Sequence, residues 1–392
     1  MRFGRSMRMV ILFIGLVFTA ISLAPLANAL DKKETFTAAA VDNRHEAWKN
    51  KRWKTSDKKI RWRMTEIWPA GFLLHKWAQH WVDSVSAASG GRLEIQLLPA
   101  GALVPANEVF DAVSQGTVQC AHSVAGMWKG KNEGFVGFWS IPYGLDAEGF
   151  NIWLYERGGL KMWQEAYTPF NLVVFPCGNA GQEMGFFSNK KAEKLSDYKG
   201  MKVRTMGYYS DILTRLGVSV SPLPGGEIYL SLERGVVDAA EFSSPALNVP
   251  IGFHEITKYA ITPGIHQPGT QTELIINRDA WSKLPEDLKV IVEICAKETQ
   301  LWATTWNEAL NAMAMEFYKD NIEIVSMDDE TIVEFAKVAY QFIEERKQKN
   351  ELLKKVLDSQ EAFRKEFSAW RKARGRLAPW PYDDFVSGQL QQ

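Results

Sequence analysis

The chain carries one thirteen-residue unit twice. Val109-Phe110-Asp111-Ala112-Val113-Ser114-Gln115-Gly116-Thr117-Val118-Gln119-Cys120-Ala121 recurs as Ile228-Tyr229-Leu230-Ser231-Leu232-Glu233-Arg234-Gly235-Val236-Val237-Asp238-Ala239-Ala240. In both copies apolar residues at helical spacing run into a glycine, and a short Val-x-x-Ala strand follows. A helix that lies on a sheet and turns at glycine into a strand belongs to a βαβ unit. The copies are too far apart to be turns of a solenoid, so the repeat predicts two similar α/β lobes. In open α/β sheets ligands bind beyond the carboxyl ends of the strands. His122-Ser123 and Glu241-Phe242 stand at those ends. Two such edges facing each other make a cleft.

The N-terminus assigns a compartment. Arg2, Arg5 and Arg8 precede an apolar run from Met9 to Leu23, and Ala27-Asn28-Ala29 offers small residues where a signal peptidase cuts. This is a secretory leader over 1–29, and the run is short of the roughly 20 residues of a membrane span. The mature chain is thus expected to be exported and periplasmic. Its net charge moves from zero to −3 once the three arginines leave. No basic tract remains, which argues against nucleic acid as a partner. Cys120, Cys177 and Cys295 lie in apolar contexts and are odd in number. They read as buried free thiols rather than a disulfide framework.

Hydrophobic periodicity places the remaining elements. Strands are predicted at Ile60–Met64, Leu93–Leu98, Val118–Ser123, Leu172–Cys177, Met184–Phe187, Met201–Thr205, Val218–Ser221, Tyr259–Thr262, Thr272–Asn277 and Ile322–Val325. A helix through Leu74, Trp77, Ala78, Trp81 and Val85 ends at Gly90-Gly91. Pro285 opens a long helix towards Tyr318, long enough at about 1.5 Å per residue to cross both lobes. Residues 30–58 form a polar extension. Lobe one is expected over 59–177 and 268–300, lobe two over 178–267 and 301–350. Residues 351–392 are expected to form C-terminal helices, and the apolar residues of the tail, with Trp370, Trp380 and Tyr382, suggest a partner surface and a dimerisation segment.

Familiar catalytic signatures are absent: no Walker loop, no dinucleotide fingerprint, no His-Glu-x-x-His and no Gly-x-Ser-x-Gly. The six histidines show no metal-ligand spacing. What remains are charges set among apolar strands. Arg204 lies inside Met201-Lys202-Val203-Arg204-Thr205, Glu183 in the glycine-rich turn 178–185, and Glu241 at a strand end. Buried charges are costly unless paired. One reading is a salt-bridge network closing a lobe. The other is an anion site with a cation beside it. Arg204 would then grip a carboxylate by a planar two-point contact, and Glu183 and Glu241 would hold a hard cation. Trp128, Trp139 and Tyr143 either line the cleft or pack in the core, and His266 and Gln267 sit in a Pro/Gly hinge.

Several segments together resemble one family: Leu98 to Val113, Ile141 to Leu145, Asn151 to Tyr155, Gly178-Asn179, Gly200 to Arg204, Gly226-Glu227-Ile228, Asp238 to Glu241 and Pro263 to Gly269. The chain resembles the solute-binding subunits of tripartite ATP-independent periplasmic (TRAP) transporters, and within them the branch that binds 2-oxo acids and lactate with a metal ion. The resemblance implies a two-lobed periplasmic-binding-protein-like α/β fold, each lobe a mixed sheet flanked by helices, with a long helix spanning both. It implies Arg204 as carboxylate clamp, with Glu183, Trp128, Tyr143 and Asn179 also at the ligand. It implies a metal ion, Ca²⁺ or Na⁺, held by Glu183, Glu241 and the backbone carbonyl of Phe242. Glu183 stands where glutamine is usual, and a second carboxylate favours Ca²⁺. Gly126-Met127 replaces an aromatic pair, so Gly126 is expected to make room for a larger acid. The expected function is capture of a small 2-oxo or 2-hydroxy monocarboxylate and delivery to the TRAP membrane subunits, without catalysis, by a homodimer. The alternatives are a ligand-binding partner of a sensor and a metal-dependent periplasmic lyase.

Overall fold

The computed structural model describes Thr55 and residues 57–374. The leader, most of the 30–58 extension and the tail with Trp380 and Tyr382 lie outside the described residues. Eleven strands in the described residues form two mixed sheets. The first has the order β2 (Leu93–Leu97), β1 (Ile60–Glu66), β3 (Cys120–Ser123), β10 (Gln271–Asn277), β4 (Leu172–Asn179). β1 pairs in parallel with β2 and β3, while β10 runs antiparallel to β3 and β4. The second has the order β11 (Glu323–Ser326), β9 (Tyr259–Thr262), β5 (Phe187–Ser188), β8 (Ala239–Ala240), β6 (Lys202–Arg204), β7 (Ser219–Val220).

The chain reaches the second sheet after β4 and returns with β10, which inserts between β3 and β4. β10 is buried along its whole length although it carries Gln271, Thr272, Glu273 and Asn277. Such a strand survives because its polar side chains find partners. β1 obeys the simpler period-two rule, with Arg61 and Arg63 exposed and Trp62 and Met64 buried.

The repeat is visible in three dimensions. A tight turn at Ala106–Glu108 leads into a helix at Val109–Ser114 and then β3. A tight turn at Gly225–Glu227 leads into a helix at Ile228–Glu233 and then β8. Gly116 and Gly235 both hold positive φ, at 77° and 66°, where a side chain would be strained. Each copy feeds a different sheet.

The helix Leu73–Ala88 packs its Ala78, Trp81 and Val85 face on the first sheet. The long helix Glu286–Asn321, some 54 Å at about 1.5 Å per residue, packs on β4 at one end and on β11 of the second sheet at the other. The charged C-terminal region forms two helices, Asp329–Lys347 and Glu351–Arg374. The break is local chemistry: the Asn350 side chain accepts the Leu353 N–H at 2.8 Å and caps a new helix. That last helix seats Leu352 and Val356 over Gly134 and Gly137, where any Cβ would approach them to 2.5 and 2.6 Å. β5, expected at Met184–Phe187, is confined to Phe187–Ser188, with the Phe186 carbonyl accepting the Ile261 N–H at 2.7 Å just before it. No described helix is long and apolar enough to cross a membrane. All three cysteines are buried and free.

Candidate functional site

A cavity of about 580 Å³ lies between the two sheets. Pro105, Ala106 and Asn107 of the first repeat line it, as do Pro224, Gly225 and Gly226 of the second. The two repeat turns therefore frame one space. A larger groove of about 860 Å³ beside the C-terminal helices carries cations that are already paired, such as Lys347 with Asp358 and Arg371 with Asp146.

The charge of the cavity is concentrated at one end. β6 and β8 pair in parallel with Arg204 opposite Ala240, so Arg204 and Glu241 leave the sheet side by side. Arg204 donates from Nε to the Leu223 carbonyl at 3.0 Å, and from Nη1 to the Glu241 carbonyl at 2.7 Å and Glu241 Oε1 at 3.2 Å. Nη2 meets no hydrogen-bond acceptor among the described residues. Nε and Nη1 are thus engaged by the chain itself, whereas the expected two-point grip would need both edges of the fork. Glu241 Oε1 also accepts the Met206 N–H at 3.2 Å.

Glu183 arrives from the turn after β4. Its Oε1 accepts the Thr270 hydroxyl at 2.7 Å. Its Oε2 is buried and without a hydrogen bond among the described residues. His266 Nε2 stands 3.2 Å from Glu183 Oε2 and 3.8 Å from Glu241 Oε2, and the Tyr209 ring stacks on the imidazole at 4.7 Å. Gly264 permits this placement, since any Cβ there would collide with the Glu183 carbonyl. Arg204, Glu183, Glu241 and His266 are all buried.

Burial opposes every one of these charges, and their neighbours decide the outcome. For Glu241, Arg204 and then His266 overcome burial and hold the carboxyl well below its usual range. For Glu183 burial prevails and raises the pKa, helped by the nearby Glu241 anion. For His266 the two glutamates overcome burial and raise the pKa to about 9. Burial lowers that of Arg204, with Glu241 and Glu183 opposing it.

Three expected ligand residues lie elsewhere. Trp128 is buried in the core of the first half, its indole N–H bound to Glu273 Oε1 at 2.7 Å. Tyr143 donates its hydroxyl to the Ile332 carbonyl at 2.6 Å and its ring faces Tyr340, beside the C-terminal helices. Asn179 donates to Gln271 Oε1 at 3.3 Å and accepts the Gly181 N–H at 2.9 Å. It shapes the turn leading to Glu183 rather than lining the cavity. Phe242 does line it, and its ring meets Phe72 edge-to-face at 5.3 Å across the gap. His122 is buried against Thr272, at 3.1 Å.

Gly126 does not open the space that was expected of it. The Trp139 ring already occupies the position of any Cβ there. Gly126→Ala must push the indole, and overpacking of this kind costs about 1–3 kcal/mol. Thermal denaturation should show a clear loss of stability; an unchanged melting temperature would contradict the packing.

Glu273, fully buried on β10, accepts from Ser123 at 2.8 Å, Trp128 at 2.7 Å and Tyr167 at 2.7 Å. Burial still raises its pKa to about 7, with the three donors opposing. The folded state then holds a proton that the unfolded chain releases near pH 4.5, so this group's contribution is full below pH 4.5 and is lost as pH rises through about 7. Glu273→Gln should remove that slope, worth roughly 3 kcal/mol. Urea unfolding at pH 5 and pH 7.5 measures it, and parallel pH profiles for the two proteins would refute the assignment.

The residue that was missed is His266. It joins Glu183 and Glu241 in the one group among the described residues whose ligand atoms lie within 4.8 Å of one another with three such side chains. The donor set suits a cation: two carboxylates converge, the Oε2 of Glu183 meets only His266 among the described residues, and Thr270 and Gln267 add oxygens at their edge. The sequence signal lies in Pro263-Gly264-Ile265-His266-Gln267-Pro268-Gly269, whose prolines and glycines equally spell a hinge.

Comparison with known proteins agrees with this architecture. The family model for bacterial extracellular solute-binding proteins, family 7 (DctP), matches residues 64–350. A monocarboxylate 2-oxoacid-binding periplasmic protein of Nostoc sp. is 34% identical over 329 residues, 84% of this chain and 89% of that protein. A TRAP transporter solute-binding protein from Bordetella bronchiseptica is similar with TM-score 0.79 and 28% identity, covering 86% of this chain and 99% of that one. It is a mixed-occupancy dimer with copurified calcium and picolinate in one active site. A TRAP periplasmic solute-binding protein from Pseudoalteromonas atlantica, with bound sodium and pyruvate, gives TM-score 0.78 and 29% identity over 83% of this chain and 99% of that one. A family match over most of the chain, a relative above 30% identity and a shared two-sheet fold lead to one conclusion: the chain belongs to the DctP family of TRAP solute-binding proteins.

Proposed function

We propose that this protein is a periplasmic receptor that captures a small 2-oxo or 2-hydroxy monocarboxylate together with a metal ion and delivers it to TRAP membrane subunits. The observation that carries the reading is that Arg204, with Nη2 unengaged among the described residues, and the carboxylates of Glu183 and Glu241 line one cavity together. Arg204 Nη2 holds the ligand carboxylate by charge-assisted hydrogen bonds. Glu183, Glu241 and the Phe242 carbonyl hold the cation, with His266 beside them. A bound cation would supply positive charge for the carboxylate and the neighbouring oxygen of the acid. Neighbours with calcium and picolinate, and with sodium and pyruvate, support that pairing. Two carboxylates favour Ca²⁺ over Na⁺.

No step makes or breaks a bond. The half containing 59–177 and 268–300 closes on the half containing 178–267 and 301–350, and closure reports occupancy to the transporter. Residues 351–392 serve a homodimer, with Trp370 exposed on the last described helix. Nothing in the site favours the sensor or lyase readings over this one. Native mass spectrometry of protein purified from its host tests the proposal. A monocarboxylate and one cation per chain, in a dimer, is the expected result. A ligand without a carboxylate would overturn it.

A further inference from the structure

The cavity is far larger than the acid held by the Pseudoalteromonas neighbour. Benzene, which has pyruvate's heavy-atom count, fills an apolar cavity of about 150 Å³; this one is about 580 Å³. The halves already touch around it. Phe72 meets Phe242, Lys129 pairs with Asp211 at 2.9 Å, and the Trp139 ring lies against Gly207, where a Cβ would come within 2.8 Å. The volume therefore belongs to a space bounded on both sides.

Its chemistry is divided. Among the described residues that line it, Arg204 is the one cation, and Glu227 at the exposed rim is acidic. A second carboxylate on the ligand would find no counter-charge. Apolar side chains also line it: Trp68, Phe72 and Met127 from the first half, and Met206, Leu223 and Phe242 beside the charged group. Water there would lack partners, whereas an aromatic ring would gain edge-to-face and thioether contacts.

Resting on the proposed carboxylate site, we infer that the ligand is a 2-oxo monocarboxylate with an aromatic side chain, of phenylpyruvate's size, its ring seated against Phe72. Phe72 is then a specificity-determining residue. Burying a phenyl group is worth more than a factor of ten in affinity.

Calorimetric titration of the purified protein in saturating Ca²⁺ tests this with pyruvate, phenylpyruvate and 2-oxoglutarate. Phenylpyruvate should bind at least about tenfold more tightly than either of the others. In Phe72→Ala the ratio of the phenylpyruvate and pyruvate affinities should fall towards one; Phe72→Leu, which keeps the packing, should lower it less. Pyruvate binding as tightly as phenylpyruvate overturns the inference and leaves the carboxylate site standing. Binding of 2-oxoglutarate as tight as phenylpyruvate overturns it as well. An unchanged ratio in both variants overturns the placement of the ring. If no acid binds, the inference and the function proposed above fall together.

Discussion

Arg204→Ala is expected to abolish ligand-dependent stabilisation and to lower the stability of the free protein. Arg204 is buried, and its hydrogen bonds to the Leu223 and Glu241 carbonyls and to the Glu241 carboxylate tie β6 to the ends of its neighbours. Removing one member of a buried ion pair costs roughly 3–5 kcal/mol, because the other charge stays buried. Arg204→Lys separates the two effects. Lysine restores the charge and much of the stability, but it cannot reach Leu223 and Glu241 while also presenting a free N–H edge. Carboxylate affinity should then fall by at least about tenfold, the worth of one charge-assisted hydrogen bond. Thermal shift with and without pyruvate measures both variants. A full ligand-induced shift in Arg204→Lys would remove Arg204 from the ligand.

Chelation has a comparably large expected effect. Without a cation, the negative charge of Glu183 and Glu241 is offset only by Arg204 and by His266, whose pKa the two glutamates raise to about 9. A bound Ca²⁺ would add attraction for the acid's carboxylate that this balanced cluster does not supply; one unit charge about 4 Å away is worth roughly 4 kcal/mol at the effective dielectric of a protein surface. Exhaustive removal of Ca²⁺ in Na⁺-free buffer should therefore weaken carboxylate binding by at least about tenfold, and Ca²⁺ should restore it. Glu183→Gln removes one of those charges and should narrow the preference for Ca²⁺ over Na⁺. Calorimetry in each buffer gives the comparison. Affinity that ignores chelation would show that no cation takes part.

The parts of this architecture legible in the sequence are those set by local rules. The two repeat units were visible because helical spacing, a positive-φ glycine and a short strand are each coded by adjacent residues. Arg204 and Glu241 stood out because a charge inside a short apolar strand has few explanations, and parallel pairing of β6 with β8 brought them together. The parts that were not legible depend on contacts between distant residues. Whether Trp128 faces the cavity or the core is decided by Glu273, 145 positions away. The space expected at Gly126 is filled by Trp139, which no spacing could announce. His266 reaches the glutamates only because the loop after β9 folds back against the Glu183 carbonyl.

The most direct test is a crystal structure grown with Ca²⁺ and phenylpyruvate. Glu183 and Glu241 should each place an oxygen at about 2.3–2.6 Å from one ion, with the acid's carboxylate on Arg204 Nη2. An ion or acid bound away from these three side chains would contradict the site.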